Sequence, residues 1–307
     1  MSSRKKSATA ATKPKQITLT IQNTEKVTLK IAGEGIMNID WGDGIPCETH
    51  TLSDFEYLGD PFGYFDTGEY DWNNDAERFM YNNDYQHNQS KESSITLSIT
   101  ADKIVRFICC SNQLIKLDVS KNTALPYLEC KKNQLTNLYL SKNMALRYLD
   151  CNSNQLPSLD ISKNTALRVL SCNNNQLTCL DLSSNTKLIE LDCSKNPLTN
   201  LNISANTALE LLACNFNQLT SLDVNANTKL QILICENNEL TSLDFSKNTS
   251  LTRLHCAGNQ LSADALNNLF ESLPFVKMAG VVDIRQNPGT SACNISIAEN
   301  KGWKIYS

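Results

Sequence analysis

The sequence predicts a mainly β chain, a right-handed solenoid of eight 21-residue repeats with a small β-sandwich in front of it. Three observations carry this prediction. Leucine is uneven: five of 40 leucines precede residue 104 and 35 follow it. Cys109, Cys130, Cys151, Cys172, Cys193, Cys214, Cys235 and Cys256 stand 21 residues apart, and an asparagine follows each by three positions, from Asn112 to Asn259. Before residue 104 the apolar residues alternate at period two instead. A fixed period of this length marks units that stack on one another.

Taken in chain order, Met1 to Gln16 is polar, with five Lys and Arg and no apolar stretch of the kind a secretory leader needs. Residues 1–15 therefore read as a disordered basic tail. Residues 16–103 follow as the sandwich: Ile17, Leu19 and Ile21, then Val27, Leu29 and Ile31, then Met37, Ile39 and Trp41, and last Ile95, Leu97 and Ile99 mark half-buried antiparallel strands. A long insertion, about 51–86, interrupts them. From Asp54 to Asp84 it holds nine acidic residues and one basic, interleaved with aromatics from Phe55 to Tyr81, too aromatic a mixture for simple disorder.

The repeats occupy 104–261. Each reads L-x-x-L-x-C-x-x-N-x-L-x-x-L, as in Leu125, Leu128, Cys130, Asn133, Leu135 and Leu138. This is the leucine-rich-repeat signature with cysteine in the third leucine slot. Alternation puts Leu128 and Cys130 on one side of a short strand and Tyr127, Glu129 and Lys131 on the other. One coil cannot bury its own apolar side, so stacking supplies the core and forms a parallel sheet; at about 4.8 Å per strand, eight coils span roughly 38 Å. Twenty-one residues leave no room for a full helix on the return path. The asparagine after the strand suits a turn whose backbone needs hydrogen-bond partners, and the asparagine of S-x-N-T segments such as Ser162 to Thr165 suits the other edge. From 262 the repeat decays into an α/β cap, 262–307. Ser262 caps a helix carrying Leu266, Leu269, Phe270 and Leu273 and stopped by Pro274; a strand follows at Val281, a short helix at Ile295 and a last strand at Trp303.

The cysteine-bearing repeat resembles the internalin J type of bacterial leucine-rich-repeat surface proteins, and the phrase N-Q-L-T-x-L-D-x-S-x-N-T is similar to repeats of Bacteroidetes surface proteins. Asp40-Trp41-Gly42-Asp43-Gly44, with Tyr85-Gln86-His87, is similar to PKD-like domains. The resemblance implies adhesion or ligand recognition by the concave sheet, on a cell surface or in a secreted protein. The chain departs from these families in showing no leader, lipobox or sorting signal, so a cytoplasmic scaffold stands as the alternative.

No cofactor, catalytic or metal site is assigned. The ladder cysteines fill leucine slots, and a buried cysteine behaves as a small hydrophobe. No C-x-x-C pair starts a zinc site. His50, His87 and His255 are far apart, and glycines form no phosphate loop. A net charge of −4 argues against nucleic acid, and no apolar run is long enough to span a membrane. The candidate surface is the outward side of the repeat strands: Tyr127, Glu129, Tyr148, Asp150, Val169, Glu190, Asp192, Leu211, Ile232, Ile234, Arg253 and His255. An aligned apolar and aromatic column rimmed by acids is expected to bind a protein. A second reading places a glycan on the insertion, with Tyr64, Tyr70 and Trp72 stacking on sugar rings while Asp66 and Asp71 accept from hydroxyls.

Overall fold

The computed structural model describes residues 15–22, 26–42, 44, 46–52, 84–88, 94–277 and 280–307. At the front, β1 (Lys15–Ile21), β2 (Lys26–Asp40), β3 (Glu48–Leu52), β4 (Asp84–Asn88), β5 (Ile95–Ile108) and β6 (Leu114–Asp118) pair antiparallel. Ile99 of β5 lies between Ile17 and Ile39, and all three are fully buried. Strand β5 runs through the composition change at 101–103 without a break. Its first half pairs with β1, and its last residues, Arg106 to Ile108, pair in parallel with the first regular repeat strand. Opposite the change, β2 slips register between Glu34 and Met37. Gly35 sits there at φ +87°, against Asp102, whose carboxylate accepts from the Ile36 amide. The front strands and the repeats therefore belong to one sheet and share one core.

The repeat strands are three residues each: β7 (Tyr127–Glu129), β8 (Tyr148–Asp150), β9 (Val169–Ser171), β10 (Glu190–Asp192), β11 (Leu211–Ala213), β12 (Ile232–Ile234) and β13 (Arg253–His255). They pair in parallel, residue to equivalent residue. The return paths are turns and extended segments without helix. The leucines of the motif are buried throughout, and the eight ladder cysteines are fully buried free thiols. Burial pushes every one of these thiols up, Cys214 to about 12, so they are packing groups without thiolate character.

Two asparagine columns close the coils. At the sheet exit, Asn154 accepts from the Leu135 amide (3.0 Å) and donates to the carbonyls of Cys130 and Cys151. The residue before each such asparagine turns through positive φ, as at Lys132, Ser153, Phe216 and Gly258. On the opposite edge, Asn164 donates to the carbonyls of Leu140 (3.0 Å) and Asn143 (2.8 Å). The front strands extend both columns: Asn112 exchanges two bonds with the Thr28 backbone of β2, and Asn122 donates to Gln16 of β1. They supply the carbonyls that a preceding coil would.

At the far end α1 (Ala263–Ser272) is capped by Ser262, whose hydroxyl accepts from the Ala265 amide. Beyond it β14 (Gly280–Asp283) joins the sheet beside β13, then come α2 (Ser296–Glu299) and β15 (Trp303–Tyr306). The segment around β14 is a ninth coil in disguise. Ile284 takes the cysteine slot, Gln286 the positive-φ position, and Asn287 donates to Cys256 and Ile284 carbonyls while accepting from Leu261. Its spacing hides it: Ile284 follows Cys256 by 28 residues, because α1 replaces the short return path.

Candidate functional site: the outward face of the repeat sheet

Parallel register lines the outward side chains into columns. The first runs Arg106, Tyr127, Tyr148, Val169, Glu190, Leu211, Ile232 and Arg253; the second runs Ile108, Glu129, Asp150, Ser171, Asp192, Ala213, Ile234, His255 and Asp283. The sequence-derived residues thus share one face, but they do not share one degree of exposure. Tyr127, Tyr148, Glu190, Ile232, Ile234, Arg253 and His255 are partly exposed, whereas Glu129, Asp150, Val169, Asp192 and Leu211 are buried. Expecting every outward position to be open to solvent overlooks the rungs about 4.8 Å away on each side. Leu211 lies between Glu190 and Ile232 and keeps 1% of its surface; Val169 lies between Tyr148 and Glu190 and keeps 7%. These two are packing within the face, and contact area has to come from their larger neighbours.

The front end is an ordered stack. The Tyr127 and Tyr148 rings lie 4.1 Å apart and 6° from parallel, and the Arg106 guanidinium carbon is 3.7 Å from the Tyr127 ring centre. A cation over an aromatic face and offset rings are both attractive, and together they hold three long side chains in one conformation. Beside the stack, Glu129 accepts from the Tyr127 hydroxyl (3.0 Å) and pairs with Lys131 (2.7 Å), which also reaches Asp150 at 3.4 Å. Burial pushes the Asp150 carboxyl up to about 6; Lys131 pulls it down and Glu129 pushes it further up. Burial also raises Asp192, against the hydrogen bonds it accepts from the Ser194 amide and hydroxyl.

The far end gathers different groups. His255 Nδ1 is 3.5 Å from Glu236 Oε1, and ligand atoms of Glu236, His255 and Asp283 all lie within 4.8 Å of one another. Asp283 is held by the Arg285 guanidinium, at 2.6 Å from Nη2 and 2.9 Å from Nε. Sequence reasoning placed His255 on the face but assigned no partner to it. Asp283 lies 28 residues on, outside the 21-residue period, so the convergence is visible only in the strand register.

The glycan candidates Tyr64, Asp66, Tyr70, Asp71 and Trp72 lie outside the described residues. Among described residues no helix is long and apolar enough to cross a membrane.

No protein-family model and no curated protein sequence matches the chain. Among solved structures, the functional domain of InlJ from Listeria monocytogenes, which includes a cysteine ladder, is similar over 66% of this chain and 49% of that one, with 33% identity and a TM-score of 0.55. The chain thus spans about half the length of that domain. An internalin, InlF, from L. monocytogenes strain 4b F2365 is similar at 20% identity over 66% of this chain and 74% of that one (TM-score 0.40). The leucine-rich effector YopM of Yersinia pestis is similar at 24% identity over 60% and 55% (TM-score 0.46). With coils, ladder and register described, the chain has a mainly β leucine-rich-repeat solenoid fold in which cysteine forms one core column.

Proposed function

We propose that this chain is a non-enzymatic ligand-recognition or adhesion module that binds a protein through the outward face of its repeat sheet, displayed at a bacterial cell surface. The Tyr127, Tyr148 stack, braced by buried Arg106, carries the reading. Tyrosine is among the side chains on which protein interfaces most often concentrate their energy, and a stack already ordered in the free protein loses little freedom when a partner covers it. Partly exposed Ile232 and Ile234 extend the apolar contribution, and partly exposed Glu190, on the rung between the tyrosines and these isoleucines, favours a partner with a basic residue facing it. Similarity to the InlJ domain supports surface display. In the same reading, residues 16–103 form a PKD-like unit that seats the first coil; Trp41 of its Asp40-Trp41-Gly42 turn is buried in the shared core.

A photo-crosslinking side chain at position 148, compared with one at Tyr139, tests the reading. Tyr139 is more exposed but lies off the sheet on a return path. A partner captured from position 148 and not from 139, and lost when Tyr127→Ala is added with unchanged melting, is the expected result. Equal capture from both positions, or capture from position 148 undiminished by Tyr127→Ala, sinks the sheet face as the binding surface.

A further inference from the structure

We propose that Glu236, His255 and Asp283 form a binding site for a first-row divalent transition-metal ion, with Zn²⁺ the fitting probe. The three residues come from successive coils. His255 is paired with Asp283 across β13 and β14, and Glu236 leaves the sheet two residues after the end of β12. One imidazole and two carboxylates are a ligand set such ions accept, with water completing the shell. Bonds of about 2.0–2.2 Å in a tetrahedron place ligand atoms about 3.4 Å apart. The imidazole to Glu236 separation is 3.5 Å, and the remaining separations, at most 4.8 Å, close by rotation of side-chain ends. The ladder thiols offer no rival site, because they are fully buried and burial holds them protonated.

Arg285 gives the site a built-in competitor. Its guanidinium neutralises Asp283 through Oδ1 and Oδ2, yet the side chain is 62% exposed and can swing away. The Arg285 amide would still donate to Asp283 Oδ1 (3.1 Å), leaving Oδ2 to face the ion. Metal and guanidinium thus compete for one carboxylate.

The test is calorimetric titration of the full chain with ZnCl₂ near neutral pH, in a background where the exposed thiols Cys47 and Cys179 are serine. One ion per chain is expected. His255→Ala and the isosteric Glu236→Gln each weaken it by at least the roughly ten- to hundredfold that losing even an outer partner of a metal site costs. Arg285→Ala tightens it, by about tenfold or more, and Mg²⁺ in excess does not displace it, since imidazole is a poor ligand for hard cations. Zn²⁺ raises the melting temperature of the parent and of Arg285→Ala, but not of His255→Ala. Absence of Zn²⁺ binding in the parent, or binding undiminished in Glu236→Gln, overturns the site. Unchanged or weaker binding in Arg285→Ala overturns the competition.

Discussion

The two edges of each coil use the same side chains in opposite states. At the sheet exit Asn154 spends both ends of its amide on neighbouring backbone; on the return edge Asn164 donates twice, but its Oδ1 is buried with no partner, as are those of Asn143, Asn185, Asn206, Asn227 and Asn248. Aspartate shows the same contrast. Asp192 and Asp181 each accept from a serine amide two residues on, at 3.0 and 2.9 Å. Yet Asp192, shut between rungs, is raised by burial, while exposed Asp181 is lowered by its serine. An identical local motif therefore does not set the electrostatics; cross-rung packing does. On the sheet side each asparagine spends both ends of its amide, whereas on the return side the asparagines are buried more deeply with one oxygen unpartnered and the aspartates stand exposed.

Breaking the asparagine columns is expected to give the largest effect. Asn154→Ala strands the Leu135 amide and takes one of two asparagine donors from each of the Cys130 and Cys151 carbonyls, so it should cost about 3–5 kcal/mol, at about 1–3 kcal/mol for the buried amide left unsatisfied and about 0.5–1.5 kcal/mol for each further hydrogen bond lost. Asn164→Ala strands no group, because the Leu140 and Asn143 carbonyls still accept from the Asn143 and Leu146 amides, and it removes an unpartnered oxygen, so its loss should be smaller by about 2 kcal/mol. Urea unfolding of the two variants measures the difference; equal losses would mean that the edges are equivalent.

Next in size is a pH effect with opposite signs on the two edges. Asp150 holds its proton to about pH 6 in the folded chain, above its value of 3.8 when exposed, so its contribution to stability falls as pH rises from about 4 to 6. Asp150→Asn should therefore be the more stable protein at pH 7, by about 1–3 kcal/mol at roughly 1.4 kcal/mol per unit, and the gain should vanish below about pH 4. Asp181 is shifted down, so it stabilises above the unfolded value and loses that contribution as pH falls through its folded one. Asp181→Asn should lower the melting temperature slightly at pH 7 and leave it unchanged in acid. Melting curves at about pH 2 and at pH 7 separate the two cases.

The smallest effect concerns the backbone. Among described residues of the repeats, positive φ occurs at the sheet exit and not on the return edge. Phe216 occupies that conformation at φ 54°, which its side chain disfavours, so Phe216→Asn should gain about 0.5–1 kcal/mol. Gly258→Ala should lose about 1–2 kcal/mol, because a Cβ there would come 2.7 Å from Asn237 Oδ1 at φ 63°. Thermal melts of both variants check the pair.

How much was legible follows from how local each signal is. The repeat, its strands, the cysteine core column and the roles of both asparagines could be read directly, because a side chain at a fixed place in a 21-residue coil meets the same neighbours each time. The capped helix after Ser262 was legible for the same reason. The ninth coil was not, since Ile284 and Asn287 keep the local pattern but lose the spacing. The burial of Val169 and Leu211, the rise of Asp150, and the meeting of Glu236, His255 and Asp283 belong to the tertiary structure alone. Period determines which residues face outward, whereas what an outward residue touches depends on the side chains one rung away. Those neighbours are 21 or more residues distant, and they vary from coil to coil.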